Sequence, residues 1–320
     1  MRSGARSHFL KLAKGNFEAF MSVSSEGFSD MKWWLDNLDK SYNVITHPPV
    51  DIVISSDASL KGWGAVFGEE KTGGRWSPSE AEYHINVLEL MAAYFAVKCF
   101  YKQLENKHVK IMVDNTTAVA VINKMGTCHS KMCNSVALQI WDFCILHNIW
   151  LTAAHTPGRC NVEADRASRE FHNRDTEWKL NQSLLANALS TLKFHPEIDL
   201  FASRLNKQFN KYVAYRPDPE AVAVDAFTMS WSKLNFYCFP PFSCIPKVLQ
   251  KIQTEKAKGI LVAPKWPTQP WYPVLISMLI KEPVVLKPAK HLLSLPESPE
   301  VKHPLHTKMS LLICLLSGDN

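Results

Sequence analysis

The chain lacks the features that mark secreted, membrane-spanning and zinc-finger proteins. Its eight cysteines have no paired spacing, so we expect reduced thiols in an intracellular compartment, either nucleus or cytoplasm. The opening segment MRSGARSHFLKLAKG has no apolar stretch of the kind that a secretory signal requires. The longest late apolar run, LLICLL at 311–316, is far shorter than the roughly 20 residues that cross a bilayer. We therefore expect no membrane span.

A structural zinc site is also disfavoured. Cys128, His129 and Cys133 lie close together in the sequence. No second ligand pair with finger-like spacing follows them, as a zinc finger would require. No internal repeat is visible either.

Composition and charge allow a nucleic-acid partner without requiring one. The chain has 320 residues, of which 46% are hydrophobic and 21% charged, as in a soluble globular protein long enough for two domains. Lysine and arginine total 36 against 30 acidic residues, a net charge of +6. This mildly basic balance suits a polyanionic partner, and it is equally typical of an ordinary soluble enzyme.

Residues 51–172 carry a pattern of alternating strands and helices. The predicted strands are DIVISSD, GWGAVFG, a short segment at 75–77, VKIMVD and IWLTAA. The predicted helices cover about 86–103, 116–124, 131–147 and 161–171. Three antiparallel strands followed by strands reached through helices predict an α/β fold with a mixed five-stranded sheet flanked by helices.

The rest of the chain is predicted to form a leader, a linker and a second, smaller α/β domain. The leader, 1–50, contains a helix that starts after Ser29 or Asp30 and that we expect to dock on a neighbouring domain. A linker helix at 173–194 precedes the second domain at 195–282, and a Pro-rich, loop-like tail at 283–320 ends the chain. The predicted elements of the second domain are a short strand DLFAS, a strand at 236–239, a helix at 245–258, the strand GILVAP and a helix in PTQPWYPVLISML.

Four acidic residues stand out within the first domain. Asp57 and Asp114 close two predicted strands, so both carboxylates emerge at one edge of the sheet if those strands are neighbours. Glu89 lies in a helix whose small alanines permit close approach to the sheet. Asp165 lies in the last helix of the domain. Each acid alone is more typical of a turn, a cap or an exposed helix face; their combination, order and context indicate a site.

A cluster of four carboxylates requires cations to offset its mutual repulsion. Two Mg²⁺ ions, with Mn²⁺ as an alternative, would activate a water and stabilise a leaving oxygen in phosphodiester hydrolysis. His155, in the loop before Asp165, is placed to transfer a proton.

These motifs resemble the type I ribonuclease H domain of retroelement reverse transcriptases. The wording is most similar to DIRS-type, tyrosine-recombinase-encoding retrotransposons in ISSDASLKGWGAVF, HINVLEL, VDNTTAVAVINKMGTCHS and HTPGRCNVEADRASR. The resemblance covers about 51–169. It implies hydrolysis of the RNA strand of an RNA–DNA hybrid. It also implies Asp57, Glu89, Asp114 and Asp165 as metal ligands and His155 as the mobile proton-transfer residue.

The same resemblance implies how the hybrid is contacted. Asn86, Asn115 and Thr116 are the candidate contacts, although Asn115 and Thr116 could equally begin the helix after Asp114. Cellular members of the family often carry a basic helix where this chain has only 125–130, which puts tight independent substrate binding in doubt. No Tyr-x-Asp-Asp polymerase motif is present, so a reverse transcriptase polymerase domain acting in trans is an expected partner.

The second domain resembles the region downstream of ribonuclease H in the same elements, which is similar to phage-type adenine-N6 methyltransferases. The catalytic motif of those enzymes would fall on 239–242, the tetrapeptide FPPF. Phe239 then replaces the polar residue that accepts the target amino group, and phenylalanine has no acceptor. With no Gly-rich cofactor loop, the sequence favours a scaffold without methyl transfer.

Three functions therefore remain open: a ribonuclease H, a catalytically silent nucleic-acid-binding remnant, and an adenine-N6 methyltransferase. An integrase-like nuclease is disfavoured. Its acidic set ends in glutamate, whereas here Glu89 comes second and Asp165 last.

Overall fold

The computed structural model describes residues 20, 22–40, 48–127, 129–171 and 178–319. Two sheets organise them. The first sheet consists of β1 (Ile52–Ala58), β2 (Gly62–Phe67), β3 (Glu70–Arg75), β4 (His108–Val113) and β5 (Trp150–His155). Its helices are α2 (Ile85–Leu104), α3 (Thr116–Asn123), α4 (Lys131–Leu146) and α5 (Val162–Arg169), and a separate helix, α1 (Ser25–Asn37), precedes them.

The strand order of the first sheet is β3-β2-β1-β4-β5. β1 pairs antiparallel with β2 and β2 with β3, while β1–β4 and β4–β5 are parallel. The predicted mixed five-stranded sheet with flanking helices is therefore confirmed. In the register of β1 with β4, Ser55 lies beside Met112. Asp57 and Asp114 each come two residues later and so reach the same edge.

The third strand lies earlier than predicted. β3 covers Glu70–Arg75, and residues 76–77 lie outside it. Glycines in a sequence usually indicate turns, but the two glycines of this strand pair with Trp63 and Gly64 of β2. They stand in a strand because a helix covers them closely: a Cβ on Gly73 would lie 2.6 Å from the carbonyl oxygen of Ala167 in α5.

Helix α1 differs from its prediction in both its start and its surroundings. Its N-cap is Ser24, whose side chain accepts a hydrogen bond from the backbone N–H of Gly27. The predicted caps Ser29 and Asp30 lie inside the helix. Its large apolar side chains are exposed, Leu35 by 81%. The expected docking on a neighbouring domain is thus not seen among the described residues.

The second sheet has seven strands in the order β12-β14-β11-β10-β7-β8-β9. Its strands are β7 (Ile198–Asp199), β8 (Lys211–Ala214), β9 (Ala223–Val224), β10 (Asn235–Cys238), β11 (Lys258–Pro264), β12 (Val284–Leu286) and β14 (Leu311–Ser317). A two-stranded ribbon joins β6 (Lys179–Leu180) to β13 (Leu293–Ser294). The helices are α6 (Gln182–Leu192), α7 (Ile245–Thr254) and α8 (Tyr272–Ser277). The chain thus has a second α/β region, as predicted.

The prediction of a loop-like tail from residue 283 was wrong. All seven residues of β14 pair antiparallel with β11, and all seven are buried. Its LLICLL run is continuous rather than alternating because the strand is covered on both faces. The prolines of the tail lie outside its strands, where the missing N–H costs no ladder bond.

Several other elements of this region differ from prediction. The segment predicted as a linker helix contains β6 and α6, and Leu185 of α6 packs in one apolar cluster with Ile313 of β14. Helix α7 ends at Thr254 because Lys256 adopts a left-handed conformation (φ 49°) before β11 begins. Helix α8 is short and DLFAS contributes only two strand residues. Across the described part of the chain, no helix is both long and apolar enough to span a membrane.

Candidate metal centre

Three of the four predicted acids converge at one edge of the first sheet. Asp57 ends the central strand β1, Asp114 comes directly after β4, and Glu89 lies in the second turn of α2. One ligand oxygen from each lies within 4.8 Å of the others. Carboxylate oxygens at this spacing are what hard divalent cations such as Mg²⁺ bind.

Glu89 is the most strongly perturbed carboxyl of the three. Burial, followed by the charges of Asp57 and Asp114, raises its pKa to about 9, and a backbone hydrogen bond from Ala58 opposes the shift. Its Oε2 atom is buried and has no hydrogen-bond partner. A buried carboxylate oxygen beside two further carboxylates is costly unless a cation binds it, so these residues fit a divalent metal.

Asp57 is held by the last helix of the domain. Burial raises its pKa to about 6, while the Ser168 hydroxyl, which donates to its Oδ2 at 2.7 Å, lowers it. Asn161 donates to the Ser56 carbonyl at 3.0 Å and lies 3.5 Å from Asp57 Oδ1. Neither Ser168 nor Asn161 was predicted from the sequence. The only available signal was their position, each within four residues of Asp165.

Asp165 lies near the three clustered acids but outside their 4.8 Å group. Its charge contributes to the raised pKa of Asp57. Its Oδ1 accepts from Arg169 at 2.6 Å, and the Asp165 side chain is 42% exposed. Arg169, one helical turn further on, therefore occupies the carboxylate that the sequence assigned to metal.

Glycines allow α5 to lie this close to the sheet. Gly64 pairs with Asp57 in the register of β1 and β2. A Cβ on Gly64 would lie 2.3 Å from the carbonyl oxygen of Ala164. The missing side chain thus lets Ser168 and Asp165 approach Asp57.

His155 ends β5 beside Val113, the residue before Asp114, and its side chain is exposed. The backbone N–H of Thr156 donates to the Val113 carbonyl at 3.0 Å, which fixes the start of the next loop. His155 is therefore at the same sheet edge as the acids.

The three predicted hybrid contacts also gather here. The Asn115 side chain donates to Asn86 Oδ1 at 3.0 Å and accepts from the Ala118 N–H at 2.9 Å. Asn115 is thus the N-cap of α3 and Thr116 its first residue. Asn86, one turn before Glu89, is tied to the residue after Asp114.

The other two motifs considered from the sequence do not form comparable centres. Cys128 lies outside the described residues, so the disfavoured zinc group falls partly outside them. The FPPF segment comes directly after β10; the rings of Phe239 and Phe242 lie 6.2 Å apart, and Trp266 packs edge-on against Phe242 at 5.2 Å. Nearby, burial raises the pKa of Asp199 to about 7. These aromatic rings provide no hydrogen-bond acceptor at position 239.

Comparison with known families identifies the first sheet region. Residues 47–141 match the family model of the RNase H-like domain found in reverse transcriptase. This span contains Asp57, Glu89 and Asp114 and ends before His155 and Asp165. The chain therefore contains an RNase H-like domain. No curated protein matches it.

Solved structures of low similarity include cellular and viral proteins. RNase H1 from the halophilic archaeon Halobacterium salinarum NRC-1 is 14% identical over 36% of this chain and 96% of its own, with a TM-score of 0.29. LC11-RNase H1 in complex with RNA/DNA hybrid is 19% identical over 37% of this chain and 93% of its own, with a TM-score of 0.32. The foamy viral protease-reverse transcriptase in complex with RNA/DNA hybrid is 14% identical over 50% of this chain and 28% of its own, with a TM-score of 0.29.

Proposed function

We propose that this chain is a metal-dependent ribonuclease H that hydrolyses the RNA strand of RNA–DNA hybrids and derives from a DIRS-type retrotransposon. The observation that supports it is the cluster of Asp57, Glu89 and Asp114, with a buried Glu89 oxygen that lacks a partner. A match to the reverse transcriptase RNase H-like family over the same residues agrees with it.

The acidic side chains supply the metal ligands in this proposal. Asp57, Glu89 and Asp114 hold Mg²⁺ or Mn²⁺, and two ions when substrate is bound. Asp165 joins them once its carboxylate leaves Arg169. The metal supplies charge stabilisation and a lowered pKa for the attacking water. Ser168 keeps Asp57 oriented and favours its ionised form.

The neighbouring polar residues have positioning and proton-transfer roles. His155 transfers a proton at the sheet edge. Asn86, Asn115 and Thr116 contact the hybrid backbone and 2′-hydroxyls, which distinguish RNA from DNA without reading bases. A reverse transcriptase polymerase domain, acting in trans, delivers the hybrid.

The division of the chain agrees with the same proposal. Residues 51–172 form the nuclease domain, and the region after it is a methyltransferase-like scaffold that includes the strands of the segment predicted as a tail. Methyl transfer is the least favoured alternative, since Phe239 offers no acceptor. Its test is the transfer of a labelled methyl group to adenine in DNA.

The decisive test uses the purified chain, a labelled RNA–DNA hybrid and Mg²⁺. Asp114→Asn should reduce cleavage about 100-fold or more, because a lost metal ligand removes several kcal/mol of transition-state stabilisation. Asp142→Asn, at an exposed position on α4, is the matched control and should cleave like the unaltered chain. Absence of cleavage even with an added polymerase domain, or unchanged cleavage by Asp114→Asn, would refute the proposal.

The Asp165–Arg169 ion pair favours one rival, a silent remnant that binds nucleic acid. Such a protein would bind hybrid equally with and without Mg²⁺ and cut nothing. A metal titration of hybrid binding, read by fluorescence anisotropy alongside cleavage, separates the two functions. A nuclease binds productively only as the metal sites fill.

A further inference from the structure

A segment of the second α/β region, 203–222, packs against the RNase H-like domain. Its Arg204 guanidinium forms a two-pronged ion pair with Glu80, with Nη1–Oε1 at 2.7 Å and Nη2–Oε2 at 2.9 Å. Nη2 also donates to the carbonyl of Arg75 at 3.1 Å. Both side chains are largely buried, 14% and 15% exposed. A paired, forked contact of this kind is geometrically specific.

Further contacts join the same two surfaces. The Arg204 guanidinium lies 4.8 Å from the ring centre of Phe95, a core residue of α2. Lys98, also on α2, pairs with Glu220 at 3.6 Å. The Thr72 hydroxyl of β3 donates to the Pro217 carbonyl. The segment therefore touches α2 and β3 together.

The segment is braced from within. The backbone N–H of Arg204 donates to Asp218 Oδ2 at 3.2 Å, and the Tyr212 hydroxyl donates to the same carboxyl group. Lys207 pairs with Glu220 at 2.6 Å. These bonds limit the positions that the Arg204 side chain can adopt.

Glu80 lies in the connection between β3 and α2. Its Oε2 accepts from the Ser77 N–H at 2.8 Å, and its carbonyl accepts from the Tyr83 N–H at 3.0 Å. Helix α2 begins two residues after Tyr83 and carries Asn86 in its first turn and Glu89 in its second. The position of this connection thus sets where the helix starts.

We propose that Arg204 is a positioning residue for the nuclease site: by clamping Glu80, the second α/β region fixes the start of α2 and with it Asn86 and Glu89. The proposal rests on the nuclease function for its catalytic consequence, but the clamp itself is independent of activity. It gives the methyltransferase-like scaffold a role that requires no methyl transfer.

The test compares Arg204→Lys with Arg216→Lys, an exposed arginine of the same segment. Lysine keeps the charge but cannot form the forked pair. In hydrogen exchange of the full chain, Arg204→Lys should speed exchange of backbone amides in 77–90 about tenfold, as loss of one charged hydrogen bond would. Arg216→Lys should leave it unchanged. Glu80→Gln should reproduce the Arg204→Lys effect, and the double variant should add little to either.

Two internal references keep the outcome decisive. Amides of β11 should stay protected in every variant, which separates a local effect from unfolding of the second region. If Arg204→Lys also exposes β11, Glu80→Gln alone decides. In cleavage assays, kcat should fall several-fold with KM less affected. Unchanged exchange at 77–90 in both Arg204→Lys and Glu80→Gln would overturn the clamp, whereas lack of cleavage by the unaltered chain would overturn only the nuclease.

Discussion

Glu89 makes the stability of the metal-free protein depend on pH. Its ordinary pKa of 4.5 rises to about 9 in the folded protein, so between these values the unfolded chain loses a proton that the folded one keeps. The free energy of unfolding should therefore fall as pH rises across this window. Thermal unfolding in EDTA from pH 5 to 9 measures it.

The matched variants for this prediction are Glu89→Gln and Glu82→Gln, the latter at an exposed position. Glu89→Gln should flatten the pH dependence and Glu82→Gln should leave it. Added Mg²⁺ should raise the melting temperature more at pH 8 than at pH 5, because the ion competes with the proton for the carboxylate. An equal slope in Glu89→Gln and the unaltered chain would contradict the assignment.

Ser168 should adjust the ionisation of Asp57. Its hydroxyl lowers the Asp57 pKa against the effect of burial, so Ser168→Ala should move that pKa above its present value of about 6. The acidic limb of the pH–rate profile for hybrid cleavage should shift to higher pH in the same direction. Ser183→Ala, at an exposed position on α6, serves as the control, and a limb that does not move would refute the role of Ser168.

At single residues, the sequence could predict only features that depend on local position. Asp57 and Asp114 could be placed together because each closes a strand, and Glu89 because of its small helical neighbours. The ion pair of Asp165 with Arg169 was not foreseen: a basic residue one turn away is always near enough to bind, and only tertiary packing decides whether it does. Ser168 and Arg204 were missed because their partners lie about a hundred residues away in the sequence.

At the level of elements, α5 should depend on the absence of a side chain at position 64. A Cβ there would lie 2.3 Å from the Ala164 carbonyl oxygen and 2.6 Å from the Ser168 nitrogen, both of them backbone atoms that cannot rotate away. Gly64→Ala should therefore cost about 1–3 kcal/mol of unfolding free energy and weaken Mg²⁺ binding at Asp57.

Urea unfolding and Mg²⁺ titration measure these two effects. Gly68→Asn is the control, since no atom lies within 4 Å of its added Cβ and asparagine tolerates the positive φ of 58° at that turn. A full-strength Mg²⁺ response in Gly64→Ala would contradict the packing argument.

Periodicity predicted the elements whose surroundings are uniform along their length. The helices of the first domain and its four longer-patterned strands were found near their predicted positions. It failed for β3 and β14 for opposite reasons. β3 contains glycines because a helix lies against it, and β14 has no alternation because both its faces are buried. Neither fact is visible without the neighbouring element.

At the scale of the molecule, β14 connects the two apolar clusters of the second region. Ile313 and Leu315 face one cluster, and Leu312, Cys314 and Leu316 face the other. Ile313→Ala should cost about 2–5 kcal/mol, as expected for a large core side chain replaced by alanine. Val285→Ala on β12, where the side chain is 45% exposed, should cost far less.

Chemical denaturation followed by tryptophan fluorescence tests this prediction. Trp231 is fully buried in the second region and reports on it. Equal losses for Ile313→Ala and Val285→Ala would show that β14 is not a central strand of that sheet.

The position of β14 between β11 and β12 also has a consequence for synthesis on the ribosome. All five strands of the first sheet are made before residue 156, so that domain can fold while translation continues. The second sheet lacks one of its inner strands until Ser317 has emerged. Until then the edges of β11 and β12 stay open to pairing with other chains, and a ribosome stalled late in the message would release a folded nuclease domain attached to an aggregation-prone partner.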